Sequence, residues 1–219
     1  MRSFVRREGR MTPAQKKALE RFWPRYGLEP GGDLLDWNSV FGREAPRVLE
    51  IGFGNGESVL AQALARPEQD YLGIEVHRPG IGRLLARLSA QEVSNVRVVC
   101  ADAVEILTQR IPPRSLNCVE LYFPDPWPKT RHHKRRIVQP DFADAVARAL
   151  RPGGRWLLAT DWAPYAEHMR EVLNAHAEFA NLAADGGFVS RPPERLLTRF
   201  EQRGLKLGHQ VFDLAYRRI

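Results

Sequence analysis

The feature that most constrains the fold is an alternation of short apolar strands and helices that begins at residue 47. The sequence predicts strands over residues 47–53, 70–76, 96–101, 116–123, 155–162 and 209–218. Helices are predicted over residues 57–67, 80–92, 104–111, 141–150 and 165–177. Strands that alternate with helices at these lengths specify a parallel sheet with helices on both faces, so we expect an α/β fold.

The N-terminal region lacks this alternation. Its first ten residues carry four arginines and little apolar content, which predicts a flexible basic arm. Thr12 is placed to cap a helix with Pro13 at its first position, and we expect that helix to stop near Pro24. A connecting segment rich in glycine and proline follows. We therefore expect residues 1–26 to form an arm and a helix, and residues 27–219 to form a single domain.

Composition narrows the class of protein. Apolar residues make up 43% of the 219 residues, which is enough to fill a sizeable core. The net charge of +7 makes an anionic partner such as nucleic acid plausible. Cys100 and Cys118 lie in apolar runs and are predicted to be core thiols in a reducing compartment. Since no apolar stretch is long enough to cross a membrane, we expect a cytoplasmic protein with no membrane partner.

A glycine-rich loop, EIGFGNGES, joins the strand at 47–53 to the following helix. Gly52, Gly54 and Gly56 would let backbone NH groups approach a ligand near a helix start. The dinucleotide fingerprint GxGxxG would require glycine at position 57, where this chain has Glu57. The loop therefore favours a cofactor other than NAD.

Acidic residues lie at the ends of four successive predicted strands: Glu50, Glu75, Asp102 and Asp125. Ligands of open parallel sheets bind beyond the carboxyl ends of the strands, so these acids are expected to converge. Glu75 is placed to accept hydrogen bonds from both hydroxyls of a ribose, and Asp102 from an adenine amino group. Any one of them could instead cap the helix that follows it.

With the EIGFGNG loop and these acids, the chain resembles class I S-adenosylmethionine-dependent methyltransferases. The resemblance implies a Rossmann-like fold, with a mostly parallel seven-stranded sheet and helices on both faces, and S-adenosylmethionine as the cofactor. The three loop glycines would make room for the methionine part of the cofactor. Glu75 would hold the ribose, and Asp102 with Ala103 the adenine.

Further stretches make the resemblance more specific: RSFVRREGR, GIEVHRPG, LYFPDPWPKTRHHKRR, LATDW and TRFEQRG. Together they are similar to the bacterial tRNA (guanine-N7)-methyltransferases, which modify a guanine at position 46 in the variable loop. By this resemblance Asp125 is the active-site residue, and it contacts the cofactor together with Glu50, Glu75 and Asp102. The implied substrate-binding residues are Lys129, Asp161, Thr198, Arg199, Phe200 and Glu201. The implied RNA-binding residues are Arg131, His132, His133, Lys134, Arg135 and Arg136.

The reaction that this family catalyses explains why its active site would need one fixed carboxylate. Guanine N7 carries a free lone pair, so its methylation needs positioning rather than removal of a proton. Positive charge moves onto the purine as the bond forms, and a carboxylate at Asp125 would stabilise it. Pro124 and Pro126 would restrict the backbone, and we expect Asp125 to be buried in this frame of proline and aromatic side chains. Phe123 and Trp127 would either stack on an extruded base or belong to the core.

The run KTRHHKRR contains no acid and is predicted to bind tRNA phosphates, although such a run is often only a solvated surface. Neither the histidines nor the acids have zinc-ligand spacing, so we expect no metal. The chain would act as a monomer or a homodimer. The alternatives are a methyltransferase acting on another RNA or on protein, a non-catalytic RNA-binding protein and, third, a dehydrogenase.

Overall fold

The computed structural model describes residues 10–197, 201–202, 208 and 210–219. Apart from Arg10, the predicted basic arm lies outside the described residues. Within them, residues 10–112 group into one compact unit and the residues from Pro113 onward into a second. None of the helices in these parts of the chain is long and apolar enough to cross a membrane.

The first unit consists of a parallel sheet and helices. Its strands are β1 (Gly27–Leu28), β2 (Arg47–Ile51), β3 (Asp70–Ile74) and β4 (Val96–Val99). Its helices are α1 (Pro13–Tyr26), α2 (Trp37–Phe41), α3 (Glu57–Ala65), α4 (Arg78–Ala90) and α5 (Ala103–Gln109). The strands lie in the order β1, β4, β3, β2, and these three pairings are parallel. All five residues of β3 are buried, which explains why strand 70–74 reads as a nearly continuous apolar run.

Helix α1 begins as predicted and ends later than predicted. Thr12 forms a capping box: its hydroxyl accepts from the Gln15 backbone NH at 3.3 Å, and the Gln15 side chain accepts from the Thr12 NH at 2.8 Å. The helix continues past Pro24 to Tyr26. Because Pro24 lies in the last turn, its missing NH removes only one bond close to the helix end, and the helix continues for two more residues.

The second unit contains parallel and antiparallel pairings. Its strands are β5 (Leu116–Tyr122), β6 (Leu150–Thr160), β7 (Phe179–Asn181) and β8 (Phe212–Arg218). Its helices are α6 (Pro140–Ala149), α7 (Ala163–Asn174) and a 3₁₀ helix, Thr130–Arg135. Strand β5 pairs parallel to β6, and β8 pairs antiparallel to both β6 and β7. The core includes the fully buried Trp156, whose ring packs against those of Phe142 and Phe179.

The described residues contain eight strands, one more than expected. Strands β1 and β7 have two and three residues, too short for a periodic apolar pattern to reveal. Strand β6 begins at Leu150, five residues before the predicted start at residue 155, and so includes the RPGG stretch. The register between β5 and β6 shifts at this point, and Gly153 has a left-handed φ of 78°, as in a β-bulge.

Candidate active site

The glycine loop between β2 and α3 has a backbone that favours glycine. Gly52, Gly54 and Gly56 have φ values of 74°, 57° and 71°, in the left-handed region where other residues are strained. The Gly52 NH donates to the carbonyl of Ile74, at the end of β3, at 2.8 Å. A Cβ built on Gly52 or Gly54 would meet no atom within 4 Å, so open space lies beside the loop. A ligand with a carboxylate and an ammonium group could therefore approach the backbone there.

Glu75, directly after β3, holds this loop in place. Its Oε2 accepts from the Gly54 NH at 2.8 Å, and its Oε1 accepts from the NH groups of Val76 and His77 at 2.7 and 2.9 Å. A carboxylate offers about four acceptor positions. Three backbone bonds therefore leave one position, on Oε2, for a ribose hydroxyl. For Glu75 to accept from both ribose hydroxyls, as expected from the sequence, one of its three hydrogen bonds from backbone NH groups would have to be shared or replaced.

Two further glycines support the loop, and no local sequence pattern identifies this role. A Cβ on Gly80, in the first turn of α4, would lie 2.1 Å from the carbonyl oxygen of Gly54. A Cβ on Gly73, in β3, would lie 2.7 Å from the ring of Phe53. These contacts join residues more than nineteen positions apart, so only the folded packing reveals them. The GIEVHRPG stretch contains both glycines but gives no sign of what they contact.

The other acids of the first unit lie at the carboxyl ends of neighbouring parallel strands. Glu50 belongs to β2, is buried, and lies in register with Gly73. Asp102 is half-buried and caps α5, with Oδ1 accepting from the Val104 NH at 2.9 Å. Helix capping and cofactor binding are compatible for Asp102, because its Oδ2 takes no hydrogen bond from the described residues. Ala103 follows as the first, buried residue of α5.

In the second unit, the chain leaves the sheet sharply after β5. Phe123 and Trp127 have φ values of 52° and 45°, which is unusual for bulky residues and typical of strained functional loops. The side chain of Asp125, between them, is exposed. The expectation that Asp125 is buried was therefore wrong. Because the backbone turns away from the sheet at Phe123, the prolines and aromatics flank Asp125 without covering it.

The basic run forms the 3₁₀ helix and its flanks, and its side chains differ in exposure. Lys129, Arg131 and Lys134 are exposed, whereas His132, His133 and Arg135 are half-buried and Arg136 is only 3% exposed. Loss of water and the neighbouring charges of Arg131, Arg135 and Lys129 lower the pKa of His132. Its imidazole is therefore neutral near pH 7 and can offer hydrogen bonds but little charge.

Both aromatic rings predicted to stack on a base have cationic neighbours. The guanidinium of Arg135 lies 4.0 Å from the ring centroid of Trp127. His132 meets the same ring edge-on at 5.9 Å, and Arg195 lies 5.7 Å from the ring centroid of Phe123. Base stacking on Trp127 would therefore compete with a cation–π contact.

The remaining predicted substrate residues lie near β6 and β8. Asp161, half-buried, directly follows β6, and the next residue, Trp162, is exposed at the start of α7. Thr198, Arg199 and Phe200 lie outside the described residues. Glu201 is buried, and its two oxygens accept from Nη1 and Nη2 of Arg195 at 2.6 and 2.8 Å.

Arg195 also binds Asp213 of β8, and neither residue belongs to a motif that the sequence predicts to be functional. Its Nε and Nη2 donate to the two oxygens of Asp213 at 2.5 and 2.9 Å. Burial raises the pKa of Asp213, although the bonds from Arg195 oppose the rise. Burial also works against the charge of Arg195, but the bonds to Glu201 and Asp213 outweigh it and raise the Arg195 pKa. The three residues form a buried ionic cluster that fixes Glu201.

Comparison with solved structures defines the class of protein. The chain is similar to the crystal structure of the antibiotic-resistance methyltransferase Kmr, with a TM-score of 0.58 and 16% identity over 84% of this chain and 92% of that one. It is also similar to the 16S rRNA methyltransferase KamB, with a TM-score of 0.56 and 16% identity over 86% of this chain and 96% of that one. The fold is that of the class I S-adenosylmethionine-dependent methyltransferases, as expected.

Sequence relatives define the family within that class. A family model described as "Putative methyltransferase" matches residues 44–214. The chain is 59% identical to a tRNA (guanine-N(7)-)-methyltransferase of Alkalilimnicola ehrlichii, over 100% of this chain and 92% of that protein. It is 54% identical to the enzyme of the same name from Escherichia coli K12, with the same coverage. The chain belongs to the tRNA (guanine-N7)-methyltransferase family, which confirms the resemblance seen in its sequence.

Proposed function

We propose that this chain transfers a methyl group from S-adenosylmethionine to N7 of guanine 46 in the variable loop of tRNA. Family membership at 54–59% identity over the whole chain carries this assignment. No observation favours the alternatives of a dehydrogenase, a non-catalytic RNA-binding protein or a methyltransferase acting on another substrate. Because the substrate is tRNA, the proposed place of action is the cytoplasm.

The first unit has features that fit the cofactor. Open space beside Gly52 and Gly54 accommodates the methionine part, and Glu75 retains one acceptor position for the ribose. Asp102, which precedes Ala103, retains Oδ2 as an acceptor for the adenine amino group. Glu50 is the remaining acid of the first unit that is proposed to contact the cofactor. When bound, S-adenosylmethionine supplies an electrophilic methyl group on a sulfonium. The protein's task is to hold this group in line with the guanine lone pair.

Asp125 is the proposed active-site carboxylate. Its exposure suits a group that contacts a macromolecular substrate, and the left-handed conformations at Phe123 and Trp127 fix the loop on either side of it. The carboxylate stabilises the positive charge that forms on the purine, and it can accept hydrogen bonds from guanine N1 or N2. Rejection of adenine follows, because adenine has no donor at N1.

Further residues are proposed to hold the tRNA. Lys129, Arg131 and Lys134 of the basic run are proposed to contact phosphates, and their exposure supports this role. Asp161 is the second carboxylate proposed for guanine recognition. Thr198, Arg199 and Phe200 are proposed substrate contacts from the family resemblance alone. Glu201 belongs to the same motif, and its bonds to Arg195 suit a role in fixing that motif.

The organisation of the chain is also a proposal. Residues 27–219 would act as one methyltransferase domain, with residues 1–26 as an arm and a helix. The enzyme would act without a metal, as a monomer or a homodimer.

A direct assay tests the proposed function. The protein is incubated with S-adenosylmethionine and unmodified tRNA, and the digested nucleosides are identified by mass spectrometry. We expect 7-methylguanosine, and we expect none from a matched tRNA with adenine in place of the variable-loop guanine. Methylation of a different nucleoside, or an unchanged yield from the adenine-substituted tRNA, would overturn the assignment.

A further inference from the structure

Arg136 differs from every other cation of the basic run in its burial. It is 3% exposed, whereas Lys129, Arg131 and Lys134 are exposed. It is the C-cap residue of the 3₁₀ helix, and its backbone NH donates to the His133 carbonyl at 3.0 Å. A phosphate contact requires an accessible cation, so Arg136 is poorly placed for the RNA-binding role that the family resemblance gives to the whole run.

The Arg136 guanidinium contacts two segments of the chain that each follow a proposed site residue. Its Nε donates to the carbonyl oxygen of Pro126, the residue after Asp125, at 3.0 Å. Its Nη1 lies 3.4 Å from the carbonyl oxygen of Pro164, in the first turn of α7 and three residues after Asp161. One side chain therefore ties together the backbones that follow the two carboxylates proposed to contact guanine.

The guanidinium is buried at an energetic cost. It lies 4.9 Å from the ring centroid of Tyr165, which is fully buried, and within the described residues it forms no ion pair with a carboxylate. Burial lowers the pKa of Arg136, as expected for a cation without an acidic partner. A buried charge held only by carbonyls and a ring is expensive. The planar fork of arginine, which lysine lacks, suits two carbonyls in different segments.

We propose that Arg136 is a positioning residue, which holds the Asp125 loop against the start of α7 through the carbonyls of Pro126 and Pro164, and does not bind tRNA phosphates. This inference rests on the proposed function. It divides the basic run into an exposed part that recruits RNA and a buried end that orients the active-site carboxylate.

Paired variants separate positioning from phosphate binding. Arg136→Lys keeps the charge but cannot donate to both carbonyls, so we expect kcat to fall roughly 10- to 100-fold, the range for a misplaced reacting group. Arg136→Gln, which removes the charge, should leave the salt dependence of tRNA binding unchanged. Lys134→Ala, the comparison at an exposed cation of the same run, should reduce the slope of log K against log salt by about 1, as expected for the loss of one phosphate contact. A normal kcat in Arg136→Lys, or a salt slope reduced by about 1 in Arg136→Gln, would refute the proposal.

A double variant tests whether Arg136 acts through Asp125. If it does, adding Arg136→Lys to Asp125→Asn should cost much less than it costs in the wild type, because the group being positioned is already impaired. If Arg136→Lys lowers kcat by the same factor in Asp125→Asn as in the wild type, Arg136 acts on a group other than Asp125.

Footprinting of the unmodified protein answers the question even if Arg136→Lys fails to fold. Arginines are modified with phenylglyoxal, with and without tRNA, and located by mass spectrometry. We expect Arg136 to resist modification in both conditions and Arg131 to be protected by tRNA. Free reaction of Arg136 with protection by tRNA would overturn the proposal. If the wild type forms no 7-methylguanosine, the proposed function fails, whereas the footprint still tests the buried position of Arg136.

Discussion

Both carboxylate oxygens of Glu201 accept hydrogen bonds from Arg195, at 2.6 and 2.8 Å, although the residues are buried and lie six positions apart. Asp213 of β8 accepts from Nε and from Nη2 of the same guanidinium, so one cation supports two buried anions. Breaking a buried ionic cluster leaves charges uncompensated, whereas exposed pairs contribute little. The segment before the TRFE motif is therefore tied to β8 by Arg195.

Arg195→Ala should lower the free energy of unfolding by about 3–5 kcal/mol, because two buried carboxylates lose their cation. Arg170→Ala is the matched control, since Arg170 pairs with Glu167 on the surface of α7 and their side chains are 35% and 51% exposed. We expect that control to cost no more than about 1 kcal/mol. Urea denaturation measures both, and equal losses would show that the Arg195 cluster contributes no more than a surface pair.

Gly80→Ala should weaken binding of S-adenosylmethionine, because the new Cβ would displace the Gly54 carbonyl and deform the glycine loop. Overpacking costs about 1–3 kcal/mol, and each 1.4 kcal/mol lost from binding is about a tenfold loss of affinity. Isothermal titration calorimetry gives the dissociation constant. Gly31→Ala provides the control, because a Cβ there meets nothing within 4 Å, and its affinity should match that of the wild type.

Asp125→Asn should lower kcat by about 100-fold, the scale of losing one group that stabilises charge in a transition state. Cofactor affinity should change much less. Single-turnover formation of 7-methylguanosine and a cofactor titration separate the two effects. Asp33→Asn, at an exposed loop position, controls for the loss of one negative charge. Near-normal turnover in Asp125→Asn would remove the electrostatic role.

His168 predicts a pH dependence of stability. Burial, followed by the charge of Arg136 and then of His133, lowers the pKa of His168, while its contact with the Val138 carbonyl at 2.8 Å and the charge of Glu171 oppose this. A histidine whose folded-state pKa is depressed contributes stability that is present above its unfolded pKa, about 6.5, and is lost as pH falls through the folded value. The wild type should therefore lose stability below about pH 6.5.

The variant His168→Gln isolates this contribution, because an amide can still donate to the Val138 carbonyl but does not titrate. Denaturation curves recorded from pH 8 to pH 5 should show a shallower loss of stability in His168→Gln than in the wild type. Parallel losses in the two proteins would assign the pH dependence to other groups.

The sequence predicted β2 and β3 well, because both are short, mostly apolar runs bounded by turn residues, but it missed the two-residue β1. It predicted the start of α1 because Thr12, Pro13 and Gln15 make a local capping pattern. It could not predict the exposure of Asp125, which depends on a left-handed turn at Phe123 that no residue type there demands. Local patterns were sufficient where the determining contacts are local.

Contacts across long separations were the ones that sequence could not reveal. Arg195 and Asp213 are eighteen residues apart, and Gly80 reaches back to Gly54. Arg136 resembles its neighbours in charge, and only its inward direction distinguishes it. A run of like charges in the sequence shows how much charge is present, but burial determines which of its side chains can contact a polyanion.

The three hydrogen bonds that Glu75 accepts from backbone NH groups concern the order in which the cofactor and tRNA bind. They involve only the protein, so the glycine loop reaches its shape without a nucleoside to organise it. Little chain entropy is then lost when the cofactor arrives, and a preformed loop makes no distinction between tRNA-bound and tRNA-free enzyme. This loop therefore does not itself require one ligand to bind before the other.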